Sequence, residues 1–193
     1  NFKTYRRQLG KILDLKKTKI AYNSRWLGKL KFADVLELAS EFTVSQMLER
    51  DMFQERIKSA RPIYLHEFLY PVMQGYDSVA LDVDAELGGN DQTFNMLAGR
   101  IMLKRRGKEK FVIATKLLTD AGGKKMSKTE NNMVALTDTP EEMYGKVMSW
   151  PDSLVPLAFE LCTRLPLSEM KNLVDTDPLQ AKKTLAREIV IER

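Results

Sequence analysis

Residues 85–115 constrain the fold more than any other stretch. Ala85-Glu86-Leu87 reads as a short strand that ends at Gly88-Gly89 in a tight turn. From Asp91 onward, Phe94, Leu97, Ala98 and Ile101 recur at helical spacing. Phe111 to Thr115 is β-branched and aromatic, the composition of a second strand. Strand, helix and strand in alternation call for α/β layering. Helices fill both flanks. Lys31 to Phe42 carries an apolar stripe at Phe32, Val35, Leu36 and Ala39. A second helix is expected over Ser45 to Ser59, and a third over Leu65 to Val79, bent or missing one bond at Pro71. Thr139-Pro140-Glu141-Glu142 is a helix start, with a hydroxyl N-cap, proline at the first helical position and glutamate at the third. Asp177-Pro178 starts the last helix in the same way, and Leu154, Leu157, Ala158, Leu161, Cys162 and Leu165 line the face of another. The shift in composition near Trp150-Pro151 is the expected domain boundary, separating a layered 1–150 from an all-helical 151–193.

Composition removes several function classes. A single cysteine, Cys162, excludes an internal disulfide and suits a reducing, cytoplasmic setting. With one histidine, His66, a His/Cys metal cluster is not expected. No apolar run is long enough to cross a bilayer, and no segment reads as a signal peptide. Lys+Arg 31 against Asp+Glu 26 gives +5, which permits contact with a phosphate polymer without requiring it. The chain opens on Asn1, inside a helical pattern, and is expected to be a piece of something larger.

Three local signals carry chemistry. Tyr70, Gln74 and Asp77 are spaced by four and three, which puts a phenol, a carboxamide and a carboxylate on one helix face. Those groups suit a small zwitterion or a phenol, or simply a solvated polar stripe, but the apolar surroundings (Phe68, Leu69, Val72, Met73, Val79) predict a largely buried helix. Gly88-Gly89-Asn90-Asp91-Gln92 could bring backbone amides close to a polar ligand, or could be an ordinary strand-to-helix turn capped by Asp91. Lys124-Lys125-Met126-Ser127-Lys128-Thr129 follows Gly122-Gly123 and offers ammonium groups to phosphates, unless it is a basic surface loop.

Taken together and in this order, the three resemble a known family. Lys125-Met126-Ser127-Lys128-Thr129 resembles the KMSKS signature of class I aminoacyl-tRNA ligases. Tyr70-x-x-x-Gln74-x-x-Asp77 followed by Gly88-Gly89-x-Asp91-Gln92 resembles the amino-acid site of the bacterial-type tyrosine–tRNA ligases. The resemblance implies the C-terminal part of a Rossmann-like, parallel-sheet nucleotide-binding domain followed by an all-helical domain. It implies ATP-dependent ligation of L-tyrosine to tRNA through tyrosyl-adenylate, with Mg2+ accompanying ATP and no protein-bound metal. By the same carry-over, Asp77 would meet the substrate hydroxyl, Tyr70 and Gln74 its ammonium, and Gln92 its carboxyl group. Asp91 and Gly89 would meet the ribose, Leu117 and Leu118 the adenine, and Lys125, Lys128 and Thr129 the leaving pyrophosphate. Asn23 and Trp26 match positions near the tyrosine pocket. The family is homodimeric, with its contact in the segment matching residues 1 to about 60.

Departures from the pattern are local. Thr129 stands for serine, Glu130 and Asn131 for leucine and glycine, and Lys116 for proline. The family's HIGH-like segment does not occur among these residues, and His66 reads instead as a packed or capping histidine. The 193 residues alone are therefore expected to be nearly inactive in adenylate formation. Two other readings stay open: a tryptophan–tRNA ligase, whose indole would want a different reading set from Tyr70, Gln74 and Asp77, and a non-catalytic synthetase-like domain that binds RNA or protein.

Overall fold

The computed structural model describes residues 2–119, 126 and 133–192. They form two compact units, Ala21–Lys116, and Asn1–Ile20 with Leu117–Arg193. Helix α1, Phe2–Leu9, opens the chain.

The unit Ala21–Lys116 holds α2 (Ser24–Leu27), α3 (Phe32–Ala39), α4 (Val44–Leu48), α5 (Asp51–Lys58), α6 (Leu69–Ala80), β1 (Ala85–Gly89), α7 (Thr93–Arg105) and β2 (Phe111–Thr115). The two strands pair in parallel, Ala85 opposite Phe111 through Gly89 opposite Thr115. A parallel pair needs a crossover, and α7 supplies it. The class is therefore α/β, as the alternation predicted. Helices α6 and α7 lie backbone to backbone: a Cβ added at Gly75 would stand 3.1 Å from both the Ala98 carbonyl carbon and the Gly99 nitrogen. Leu38, Met47, Val72 and Met102 form the core cluster of this unit, flanked by Phe42, Phe68 and Phe94.

Three local expectations change here. The single helix expected over Ser45 to Ser59 is two, separated by an extended Arg50 (φ −61°, ψ 129°). Met47 and Phe53 would point about 120° apart on one continuous helix; the break lets both be buried, at 5% and 0% exposure. Pro71 does not bend α6. It is the third residue of that helix, in the first turn, where an amide has no intrahelical acceptor to lose. Gly88 and Gly89 do not make a tight turn either. Both belong to β1, Gly89 is extended (φ −65°, ψ 155°), and a short 3-10 turn over Asn90–Gln92 reverses the chain. What Gly88 provides is room, since a Cβ there would lie 2.9 Å from Met96 Sδ.

In the other unit, α8 (Pro140–Met148), α9 (Val155–Cys162), α10 (Leu167–Thr176) and α11 (Pro178–Ile191) account for all the described helices after residue 119 apart from one 3-10 turn, Asp152–Leu154. Ala181, Leu185, Ala186 and Ile189 of α11 are buried against Val147, Trp150, Ala158, Phe159 and Met170. Trp150 thus sits inside this core, and the two compact units meet in sequence at residues 20/21 and 116/117. Asp177 caps α11 by accepting from the Gln180 amide at 3.0 Å. At α8, Thr139 Oγ1 accepts from the Glu142 amide (3.2 Å) while Glu142 Oε2 accepts from the Thr139 amide (2.9 Å), the reciprocal cap the sequence predicted. Thr139→Ala is expected to cost about 1 kcal/mol of stability; a thermal unfolding curve superimposable on the parent's would contradict this.

Candidate functional site

Positions 70, 74 and 77 share one face of α6, as their spacing requires. The helix is buried on another face, through Pro71, Val72, Gly75 and Ser78. The reading face is more open than expected: Tyr70 is 56% exposed, and Gln74 and Asp77 are half-buried. This leaves the phenol, the amide and the carboxylate reachable from outside the unit's core.

Asp77 is held by residues far away in sequence. Trp26 Nε1 donates to Oδ1 at 2.7 Å, and Asn23 Nδ2 reaches Oδ2 at 3.4 Å. A carboxylate has about four acceptor positions, so two donors fix its rotamer and leave capacity for a third. Asn23 and Trp26, far from Asp77 in sequence, thus stand beside its carboxylate. Gln74 sits in a network of amides. Asn95 Nδ2 donates to Gln74 Oε1 at 3.0 Å and to Gln92 Oε1 at 3.1 Å. Gln74 Nε2 faces Glu86 Oε1 at 3.4 Å. Behind it, Lys110 is 1% exposed and its ammonium contacts Ser78 Oγ (2.8 Å), the Met96 carbonyl (2.9 Å) and Glu86 Oε2. α6, β1 and α7 thereby join around one lysine at the entry to β2.

Four of these residues escaped the reading of the sequence. Asn95 lies three residues after Gln92, one helical turn on, and that spacing was a usable signal. Ser78 follows Gln74 by four and had the same signal. Glu86 and Lys110 had none, because a charged residue in or beside a short strand ordinarily faces water. His66, expected to be packed or capping, is exposed and stacks on Tyr64 with ring centroids 6.0 Å apart.

The remaining predicted residues fall elsewhere. Gly89 ends β1; Asp91 and Gln92 lie in the 3-10 turn, with Gln92 Nε2 3.4 Å from Asp91 Oδ2. Leu117 and Leu118 belong to the other unit, where they line an apolar cavity of about 350 Å³ with Met126, Val134, Met143 and Trp150. The Met126 amide donates to the Leu118 carbonyl at 3.1 Å. Lys125, Lys128 and Thr129 lie outside the described residues. Among the described residues, no three His, Cys, Asp or Glu side chains gather where they could hold a metal ion. No described helix is long and apolar enough to cross a membrane.

Comparison with known proteins gives a consistent result. A family model described as tRNA synthetases class I (W and Y) matches residues 1–192. A tyrosine–tRNA ligase of Carboxydothermus hydrogenoformans is 50% identical over 200 residues, covering 100% of this chain and 49% of the relative. One from Moorella thermoacetica is 48% identical, covering 98% of this chain and 48% of its own length. The chain spans about half the length of the curated relatives it matches. In fold, it is similar to a tyrosyl-tRNA synthetase of Archaeoglobus fulgidus solved with L-tyrosine, with a TM-score of 0.73 at 20% identity over 98% of this chain and 69% of that one.

Proposed function

Because the chain belongs to the class I tRNA synthetases of the tryptophan and tyrosine kind, we propose that its protein joins L-tyrosine to tRNA at the expense of ATP. The observation that carries the reading is Asp77, a carboxylate fixed by Trp26 and Asn23 on an accessible face, with acceptor capacity left for a phenolic hydroxyl. The names of the relatives point the same way.

In the first step, a substrate carboxylate oxygen attacks the α-phosphate of ATP, forming tyrosyl-adenylate and releasing pyrophosphate. In the second, a 3′-terminal hydroxyl of tRNA attacks the activated carbonyl and AMP leaves. Catalysis is by placement and charge. Asp77 accepts from the substrate phenol, Tyr70 and Gln74 receive its ammonium, and the Gln92 amide faces its carboxylate. Asp91 and Gly89 meet the ribose, and Leu117 with Leu118 offers adenine an apolar surface. Lys125, Lys128 and Thr129 stabilise the departing pyrophosphate. Magnesium comes as the counterion of ATP. The reading extends to a cytoplasmic homodimer joined through residues 1–60, where Phe32 and Val44 are 77% and 68% exposed.

The test is ATP–pyrophosphate exchange by the intact protein. Tyrosine is expected to drive it, tryptophan is not, and Lys125→Ala and Lys128→Ala are expected to lower kcat while leaving tyrosine affinity in place. Exchange driven by tryptophan would replace the substrate assignment, and exchange with neither amino acid would favour the non-catalytic reading. Residues 1–193 alone, which contain no HIGH-like segment, are expected to give no exchange.

A further inference from the structure

We propose that the ion pair of buried Lys110 with part-buried Glu86 sets the direction of a chain of side-chain amides and so favours the atom that Gln92 turns toward a substrate carboxylate. This rests on the tyrosine-site reading above and adds a positioning role that none of the family signatures includes.

The chain starts from a residue with no choice. Lys110 Nζ has three hydrogens, and all three are taken by Ser78 Oγ, the Met96 carbonyl and Glu86 Oε2. Ser78 Oγ also lies 3.0 Å from Glu86 Oε2. Glu86 is thus tied at Oε2 and presents Oε1 to Gln74. A carboxylate only accepts, so Gln74 must turn its Nε2 toward Glu86. Gln74 Oε1 then faces Asn95, which must answer with its Nδ2 group. The second hydrogen of that group goes to Gln92 Oε1. What remains of Gln92 is a donor, Nε2, on the side of Asp91.

One atom shows that this direction is imposed. Asn95 Oδ1 is buried and has no hydrogen-bond partner among the described residues, in a residue only 3% exposed. Turned over, the same amide could accept from Gln74 and Gln92 through that oxygen. An orphaned buried carbonyl is costly, and it persists only where the alternative is worse. Here the alternative would set Gln74 Oε1 against Glu86 and Gln92 Oε1 against Asp91, acceptor against acceptor at both ends. Of the two carboxylates, Asp91 is exposed to water, while Glu86 is fixed by the buried Lys110 and holds the direction from the inner end. With an uncharged amide at position 86, only the exposed Asp91 would oppose reversal, and Gln92 could offer an oxygen to the carboxylate it is meant to bind.

The test is made in the intact protein with the double variant Glu86→Gln/Lys110→Met, which removes the anion without leaving a buried ammonium unpaired. Tyrosine and p-cresol are titrated by calorimetry or ligand-observed NMR. p-Cresol carries the phenol but neither the ammonium nor the carboxylate. Tyrosine is expected to bind about 10-fold more weakly than to the wild type, the loss of one charge-assisted hydrogen bond, while p-cresol binds as before. Unchanged tyrosine affinity would overturn the proposal, and so would equal losses for both ligands, which mean a generally loosened site. Should the variant not fold, nitrogen-labelled glutamine in the wild type decides the matter. Tyrosine is expected to shift the Gln92 side-chain amide signal and p-cresol is not; shifts with both, or with neither, overturn the proposal. A wild type that binds no tyrosine at all defeats the parent reading, and this proposal with it, before any variant is made.

Discussion

Asp77→Asn is expected to weaken L-tyrosine binding by roughly 10- to 100-fold, since a hydrogen bond to a charged group contributes about 1.5–3 kcal/mol. The substitution keeps the volume of the side chain and the bond from Trp26, because the amide oxygen can still accept at the 2.7 Å position. The change falls on the other oxygen. There an NH2 group would replace an acceptor and face Asn23 Nδ2, now donor against donor at 3.4 Å. On the proposed reading, the site loses the acceptor that rewards a phenolic hydroxyl. Its preference for tyrosine over phenylalanine should narrow by about the same factor, because phenylalanine never used that acceptor. Calorimetry with both amino acids reads both quantities. Trp26→Phe should give a smaller loss, since Asp77 keeps its charge and its acceptor for the hydroxyl and loses only the donor that fixes its rotamer. If Asp77→Asn binds tyrosine as the wild type does, Asp77 is not the group that reads the hydroxyl.

What could be read from the sequence was what depends on local periodicity. The strand Phe111–Thr115, the helical face carrying Tyr70, Gln74 and Asp77, and the caps at Thr139 and Asp177 are all set by neighbours within a turn or two. What escaped depends on contacts between distant segments. Arg50 breaks a helical pattern because Met47 and Phe53 must both reach the core. Trp26 and Asp77 meet across fifty-one positions, so only resemblance to a family linked them. Lys110 is the clearest case. A lysine in the run Lys108-Glu109-Lys110 reads as surface charge, yet it is buried because Ser78, Met96 and Glu86 converge on it from three elements. Gly88 does not turn the chain, since it lies in β1, and the space it leaves for Met96 comes from a contact across the fold that no local pattern announces.

Gly99→Ala is expected to destabilise the chain by roughly 3 kcal/mol, the upper part of the range for overpacking a closed site. The added Cβ would lie 2.5 Å from Ser78 Oγ, 2.6 Å from Lys110 Nζ and 2.9 Å from Ser78 Cβ. None of these can withdraw freely. Ser78 is on α6, whose backbone already touches α7 at Gly75, and Lys110 is held by three partners. Moving the ammonium away would strip a buried charge of its hydrogen bonds, which costs more than the methyl gains. The intrinsic helix preference of alanine over glycine, about 1 kcal/mol, works in the opposite direction and is overwhelmed. Gly145 supplies the contrast, because it lies within α8 with no atom of the described residues, beyond its own helix and chain neighbours, within 4 Å of an added Cβ. Gly145→Ala should therefore stabilise by about 0.5–1 kcal/mol. The two substitutions are chemically identical and should shift the thermal unfolding midpoint in opposite directions. The first should also weaken tyrosine binding, because the lysine it displaces anchors Glu86 and, through Glu86, the amides at the site. An unfolding midpoint for Gly99→Ala equal to the wild type's would mean that α6, α7 and Lys110 are not packed as tightly as the 2.5 Å and 2.6 Å approaches require.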